Sequence, residues 1–211
     1  MQVAIVLYDQ FTLLDAIGPY QVLIGLPGAE VVFAAERGGR VITGGRGLQL
    51  HVDNTLADVP RPDVVVVPGG PGAEADQLAD GPLHDWLRAV DQTSQWTTSV
   101  CTGSLILASA GLLTGRRAST YWMAMDELER LGAKPVTDRV VFDGKYMTAA
   151  GVSSGIDGAL ALAGRIAGDP VAQEIQLGIE YDPQPPYDAG SPAKAPNAVV
   201  ESVRRRAAAS S

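Results

Sequence analysis

Short apolar runs alternate along this chain with longer stretches in which apolar residues recur every three or four positions. Residues 2–8, apolar from Val3 onward, read as a strand, and a helix is expected from Gly18-Pro19 to Ile24. Residues 30–34 read as a second strand. Residues 40–43 and 48–52 read as a hairpin or short excursion around Gly44-Gly45. Residues 63–67 contain four successive valines, the pattern of a strand buried on both faces of a parallel sheet. A helix follows at 82–91, then a β-prone run from Trp96 to Val100 and a helical run from Thr102 to Gly111. Residues 121–131 are amphipathic, with Met125, Leu128 and Leu131 on one side. Residues 139–142 and 145–148 flank Asp143-Gly144, a strong hairpin signal. Two more helices, 156–167 and 171–180, are separated by Gly168-Asp169-Pro170. This βαβ series with an antiparallel addition predicts a three-layer α/β sandwich around a mostly parallel sheet. Residues 1–211 are expected to form a single domain, with the Pro-rich segment 181–196 packed on it.

Composition narrows the function classes. With 46% hydrophobic and 19% charged residues, the 211-residue chain is an ordinary globular one. A net charge of −8 argues against a nucleic-acid surface, and Arg204-Arg205-Arg206 reads as a solvated helix end. One cysteine permits no internal disulfide, which points to a reducing compartment. The apolar N-terminus lacks a basic n-region and a cleavage site, and no apolar run reaches transmembrane length. A cytoplasmic protein without membrane contact is expected.

That single cysteine, Cys101, sits where a strand turns into a helix, with the small residues Ser99 and Gly103 two positions either side. This is the layout of a nucleophile elbow with Cys in place of Ser. A helix N-terminus there is expected to lower the thiol pKa; the plain alternative is an inert buried cysteine. Three further segments fall at the carboxyl edge of the sheet. Pro68-Gly69-Gly70-Pro71-Gly72 follows the valine strand, and the amides of Gly69 and Gly70 suit an oxyanion hole; a tight turn is the alternative. Asp15 lies in an apolar stretch before Gly18-Pro19, either as a helix cap or as a proton-exchanging carboxyl beside the thiol. In Gly151-Val152-Ser153-Ser154-Gly155, Ser153 or Ser154 is expected to cap a helix while the backbone forms a pocket wall. The two histidines, His51 and His84, fall at no parallel-strand end, so a Cys-His dyad and a zinc site are not expected.

The Cys101 elbow, Pro68-Gly69-Gly70, Asp15-Ala16-Ile17-Gly18-Pro19 and Gly151-Val152-Ser153-Ser154-Gly155-Ile156-Asp157 together resemble the ThiJ/PfpI superfamily. Its fold is a flavodoxin-like sandwich related to class I glutamine amidotransferases, and the resemblance runs from Val3 to about Pro196. The segment from Gln176 to Pro186, followed by Gly190-Ser191-Pro192, is similar to the isocyanide hydratase branch. The resemblance implies hydration of an isocyanide through a Cys101 thioimidate. Asp15 would be the acid and base, and Thr102 would orient the carboxyl or water. Tyr121, Trp122, Val152 and Ser153 would line the pocket. It further implies a homodimer and no metal or organic cofactor. Thr102 stands where the peptidase-like branch has His, and Tyr121 stands where many relatives have His before the Trp. An amidase, a glyoxalase-like enzyme and a cysteine redox sensor are the other activities this scaffold would accommodate.

Overall fold

The computed structural model describes residues 1–42, 47–75 and 77–209. In chain order the first half holds β1 (Gln2–Leu7), α1 (Leu13–Leu23), β2 (Glu30–Ala35), β3 (Gly39–Ile42), β4 (Gln49–Val52), β5 (Asn54–Thr55), β6 (Val64–Val67), α2 (Pro71–Ala75), α3 (Pro82–Asp91) and β7 (Trp96–Val100). The second half holds α4 (Gly103–Ser109), β8 (Arg117–Ala118), α5 (Met125–Arg130), β9 (Lys134–Pro135), β10 (Val140–Asp143), β11 (Tyr146–Ala149), α6 (Ser154–Ala167), α7 (Asp169–Gly178) and α8 (Asn197–Ala208).

Seven strands form the central sheet in the order β10-β11-β7-β6-β1-β2-β5. All neighbours pair parallel except β10, which returns antiparallel to β11 with Asp143 opposite Tyr146. The turn between them uses Gly144 at φ 62°, as the Asp-Gly signal requires. The four valines of β6 are all buried, because helices cover both faces of the sheet. On one face α1 packs against α6, and α6 against α7 and β11; on the other, α4 packs against β6, β7 and α3. This is the expected flavodoxin-like sandwich. The chain runs from β1 outward to β2 and then returns to the opposite side of β1 with β6. The carboxyl ends of β1 and β6 therefore flank the point where an open α/β sheet offers a crevice.

Two details differ from the sequence reading, and a third agrees as far as it is described. First, α1 begins at Leu13 rather than near Gly18, so Asp15 lies in its first turn and Pro19 inside it. A proline inside a helix removes one hydrogen bond and disfavours the element. Here packing outweighs that preference: a Cβ on Gly18 would stand 3.1 Å from Ile156 of α6, and Pro19 lies against Gly155. Second, the helix expected over 121–131 contracts to α5, the residues from Tyr121 to Ala124 forming a turn instead. Third, the strands β3 and β4 form the expected antiparallel pair, whereas Gly44-Gly45 lie outside the described residues.

The chain divides into two units, Met1–Ile179 and Glu180–Ser211. The sandwich is the first. The second is irregular up to Pro196, with a turn closed by Lys194 and Ala195 amides on the Ser191 carbonyl, and then forms α8. Arg204, Arg205 and Arg206 are exposed towards the end of α8, as a basic helix terminus should be. Among the described residues no helix is long and apolar enough to cross a membrane.

Candidate active site

Cys101 follows β7 directly and adopts φ 57°, a left-handed conformation that a side-chain-bearing residue keeps only when its surroundings impose it. Those surroundings are explicit. The Cys101 amide donates to the Ala149 and Ala150 carbonyls at 3.0 and 2.8 Å. Its carbonyl accepts the hydroxyls of Ser104 and Thr120, each at 3.1 Å. The helix that follows fits only because position 103 is glycine: a Cβ there would sit 2.1 Å from the Val67 carbonyl oxygen. The elbow is thus pressed against the end of β6.

The loop after β6 meets this elbow at similar range. A Cβ on Gly69 would lie 2.4 Å from the Thr102 nitrogen, and one on Gly70, at φ 143°, 2.5 Å from both Gln10 O and Thr12 N. Residues 10–12, 68–70 and 101–103 therefore form one tightly joined knot at the carboxyl edge of β1, β6 and β7. The Thr12 amide donates to the Gly69 carbonyl at 2.7 Å, which brings the first turn of α1 over the knot.

That arrangement places Asp15, wholly buried, beside Cys101, which is 5% exposed. Asp15 Oδ2 accepts the Gly69 amide at 3.0 Å. Its other oxygen, Oδ1, is buried without a hydrogen-bond partner. Burial pushes the Asp15 carboxyl up to about 7, against the opposing pull of the Gly69 amide and the Cys101 thiol. Burial also pushes the thiol up to about 12, aided by the Asp15 charge; the amides of Thr102 and Val152, which face the sulfur, draw it down only in part. At rest Cys101 is therefore a thiol. The helix N-terminus does not deliver the lowered thiol pKa that the elbow pattern suggested, because desolvation outweighs it.

The other candidates divide. Gly69 and Gly70 are at the site, but their amides are occupied: Gly69 serves Asp15 and Gly70 donates to Thr102 Oγ1 at 2.9 Å. The amides that face the sulfur belong to Thr102 and Val152 instead. The Thr102 hydroxyl bonds Gly70 through both its nitrogen and, at 3.3 Å, its carbonyl, so it fastens the loop rather than orienting the carboxyl. Tyr121 reaches the site; its ring lies 3.1 Å from where a Cβ on Gly151 would stand, and the Cys101 charge contributes to raising its phenol pKa, after burial. Trp122 meets Tyr121 edge to face with centroids 5.8 Å apart. Ser153 is exposed, does not cap α6, and accepts from Arg139 at 3.2 Å on the outside of the fold. Ser154 is buried, and its hydroxyl has no hydrogen-bond partner, so it does not cap α6 either.

Neither histidine approaches this chemistry. His51 pairs with Asp53 at 3.3 Å on the surface, and His84 is buried with its Nε2 2.8 Å from Ser109 Oγ. Two contributors escaped the sequence reading. Thr120 holds the Cys101 carbonyl, and Tyr8, at the carboxyl end of β1, donates its hydroxyl to the Pro68 carbonyl at 2.7 Å. The position of Tyr8 at the end of the first parallel strand, beside the crevice, was the available signal.

Residues 1–164 match the model of the DJ-1/PfpI family. Isonitrile hydratase from Pseudomonas putida is 45% identical over 210 residues, covering 100% of this chain and 91% of that protein. A deglycase from Pyrococcus abyssi is 34% identical over 151 residues, 70% of this chain and 89% of its own. A ThiJ/PfpI family protein of known structure from Pseudomonas syringae superposes with a TM-score of 0.94 at 33% identity, covering 98% of this chain and 86% of that one. With the sandwich, the cysteine elbow and the facing carboxyl in their places, this chain belongs to the DJ-1/PfpI family.

Proposed function

We propose that this protein is an isonitrile hydratase that adds water to R–N≡C and releases an N-substituted formamide, with Cys101 as nucleophile and Asp15 as proton carrier. The observation that carries this reading is the buried Asp15–Cys101 pair, without an imidazole, in a chain similar over its whole length to an isonitrile hydratase. An isocyanide carbon must receive both a nucleophile and a proton. A thiol at about 12 beside a carboxyl at about 7 supplies both from one pair of side chains.

The steps balance on these two groups. Ionised Asp15 takes the thiol proton as sulfur bonds the terminal carbon, and passes that proton to the same carbon. The product is the thioimidate Cys101–S–CH=N–R. The amides of Thr102 and Val152 steady the sulfur while it carries charge. Asp15 then removes a proton from water as its oxygen attacks the thioimidate carbon, and delivers that proton to nitrogen. Collapse of the adduct returns the proton of the hydroxyl to sulfur, through Asp15, and frees R–NH–CHO. Tyr121, Trp122 and Val152 form the wall on the substrate side.

The direct test follows formamide appearance from a simple aliphatic isocyanide, with Cys101→Ala as control. Turnover in the wild type that is absent from the folded variant supports the reading; no turnover with several isocyanides refutes it. The family likeness extends the proposal to a homodimer, and the single cysteine extends it to a reducing, cytoplasmic setting. Exposed Leu14 at the start of α1, close to Asp15 in sequence, favours a contact there. Sedimentation at a single chain's mass would exclude the dimer.

A further inference from the structure

One peptide plane joins two side chains that the mechanism treats separately. The carbonyl of the Pro68–Gly69 peptide accepts the Tyr8 hydroxyl at 2.7 Å, and the amide of the same peptide donates to Asp15 Oδ2 at 3.0 Å. The sequence Tyr8 O–H···O=C–N–H···Oδ2 is therefore continuous from the end of β1, across the β6 loop, to the first turn of α1. A hydrogen bond accepted by a peptide carbonyl polarises the plane and strengthens the bond its amide donates. Tyr8 is 7% exposed, and its ring meets Phe11 edge to face at 6.5 Å, so the hydroxyl is held in place by packing.

We propose that Tyr8 is a positioning residue for Asp15: its hydroxyl fixes and polarises the Pro68–Gly69 peptide, and that peptide holds the Asp15 carboxylate against Cys101. The proposal rests on the reading of Asp15 as proton carrier. Its consequence follows from the sign of the bond. An amide hydrogen bond to a carboxylate favours the ionised form, so weakening it makes Asp15 harder to ionise. Tyr8 thereby sets the pH above which the pair can relay a proton.

Among the described residues, charged and titratable groups act on this chain of bonds from several elements. Cys101 faces Asp15 from the β7–α4 turn, and Glu74 of α2 acts on Tyr8 and on Tyr121. On α6, which packs against α1, Asp157 pairs with Arg139 and Arg165 lies over the Phe142 ring.

Cys101 is the only cysteine, so its alkylation by iodoacetamide reports the ionisation of its neighbour without any need for turnover. Rates measured across pH should inflect near the Asp15 pKa in the wild type. Tyr8→Phe keeps the ring and removes the donor, and should move the inflection up by about 0.5 to 1 unit. A ring-fluorinated tyrosine at position 8, a stronger donor of the same shape, should move it down. A residue that served packing alone would give neither the opposite signs nor a shift with the fluorinated ring. If Tyr8→Phe does not fold, the fluorinated protein decides alone. An inflection unmoved in the folded proteins, or absent near neutrality in the wild type, overturns the assignment. The pH profile of isocyanide hydration should move in the same sense. Absent hydration with shifted alkylation would refute the enzyme reading and leave the role of Tyr8 standing.

Discussion

Replacing Asp15 with Asn turns the buried carboxyl into a measurable stability term. The side chain is wholly buried and its carboxyl is raised from 3.8 to about 7 by burial. Below pH 3.8 the folded and unfolded chains both carry the proton, and ionisation contributes nothing. Between 3.8 and about 7 the unfolded chain releases the proton while the folded chain keeps it, so stability falls as pH rises. Above about 7 both are ionised and the penalty is complete. At about 1.4 kcal/mol per pH unit the full gap is worth about 4 kcal/mol. Asp15→Asn keeps the shape and an oxygen for the Gly69 amide but cannot ionise. Urea unfolding of both proteins from pH 4 to 8 isolates the effect, because every other carboxyl is common to the pair. The variant's advantage should grow from pH 4 to 7 and then level off. At pH 8 its midpoint should exceed the wild type's by at least about 1.3 M urea for the slopes typical of small proteins. A stability difference that stays constant with pH would refute the placement of an ionisable, desolvated Asp15 at the centre of the site.

Other perturbations read other parts of the structure. Hydration should rise with pH through about 7 as Asp15 ionises and hold above it, because the thiol stays protonated until about 12; a rate that falls through that range would contradict the relay. Gly69→Ala drives a Cβ to 2.4 Å from the Thr102 nitrogen, and thermal unfolding should show a loss of about 3 kcal/mol or more together with lost turnover. Ser153→Ala removes an exposed hydroxyl bonded to Arg139 and should leave kcat/KM within about twofold in a steady-state assay. Asp91 ends α3 and bonds near the start of β7, the end of that strand away from the elbow. It accepts Thr97 and Tyr146 hydroxyls at 2.7 and 2.9 Å and pairs with Lys145 at 3.0 Å. Asp91→Ala should lower the unfolding free energy by about 2–3 kcal/mol while leaving KM unchanged.

Elements whose signals are local were legible in the residues alone. The valine run of β6, the Asp143-Gly144 turn and the span of α3 are all where residue pattern and turn chemistry put them. So is the strand-to-helix position of Cys101, because an elbow is a matter of neighbours in the chain. What pattern could not determine are relations between segments distant in sequence. The start of α1 is one, since contact with α6 overrides the punctuation of Gly18-Pro19. The employment of the Gly69 and Gly70 amides is another: glycine after a strand allows an amide to turn inward, but only the meeting of three loops decides that Asp15 and Thr102 receive them. The protonation of Cys101 is the third. A helix N-terminus is visible in the sequence, whereas desolvation depends on everything packed around the sulfur, and here desolvation is the larger effect.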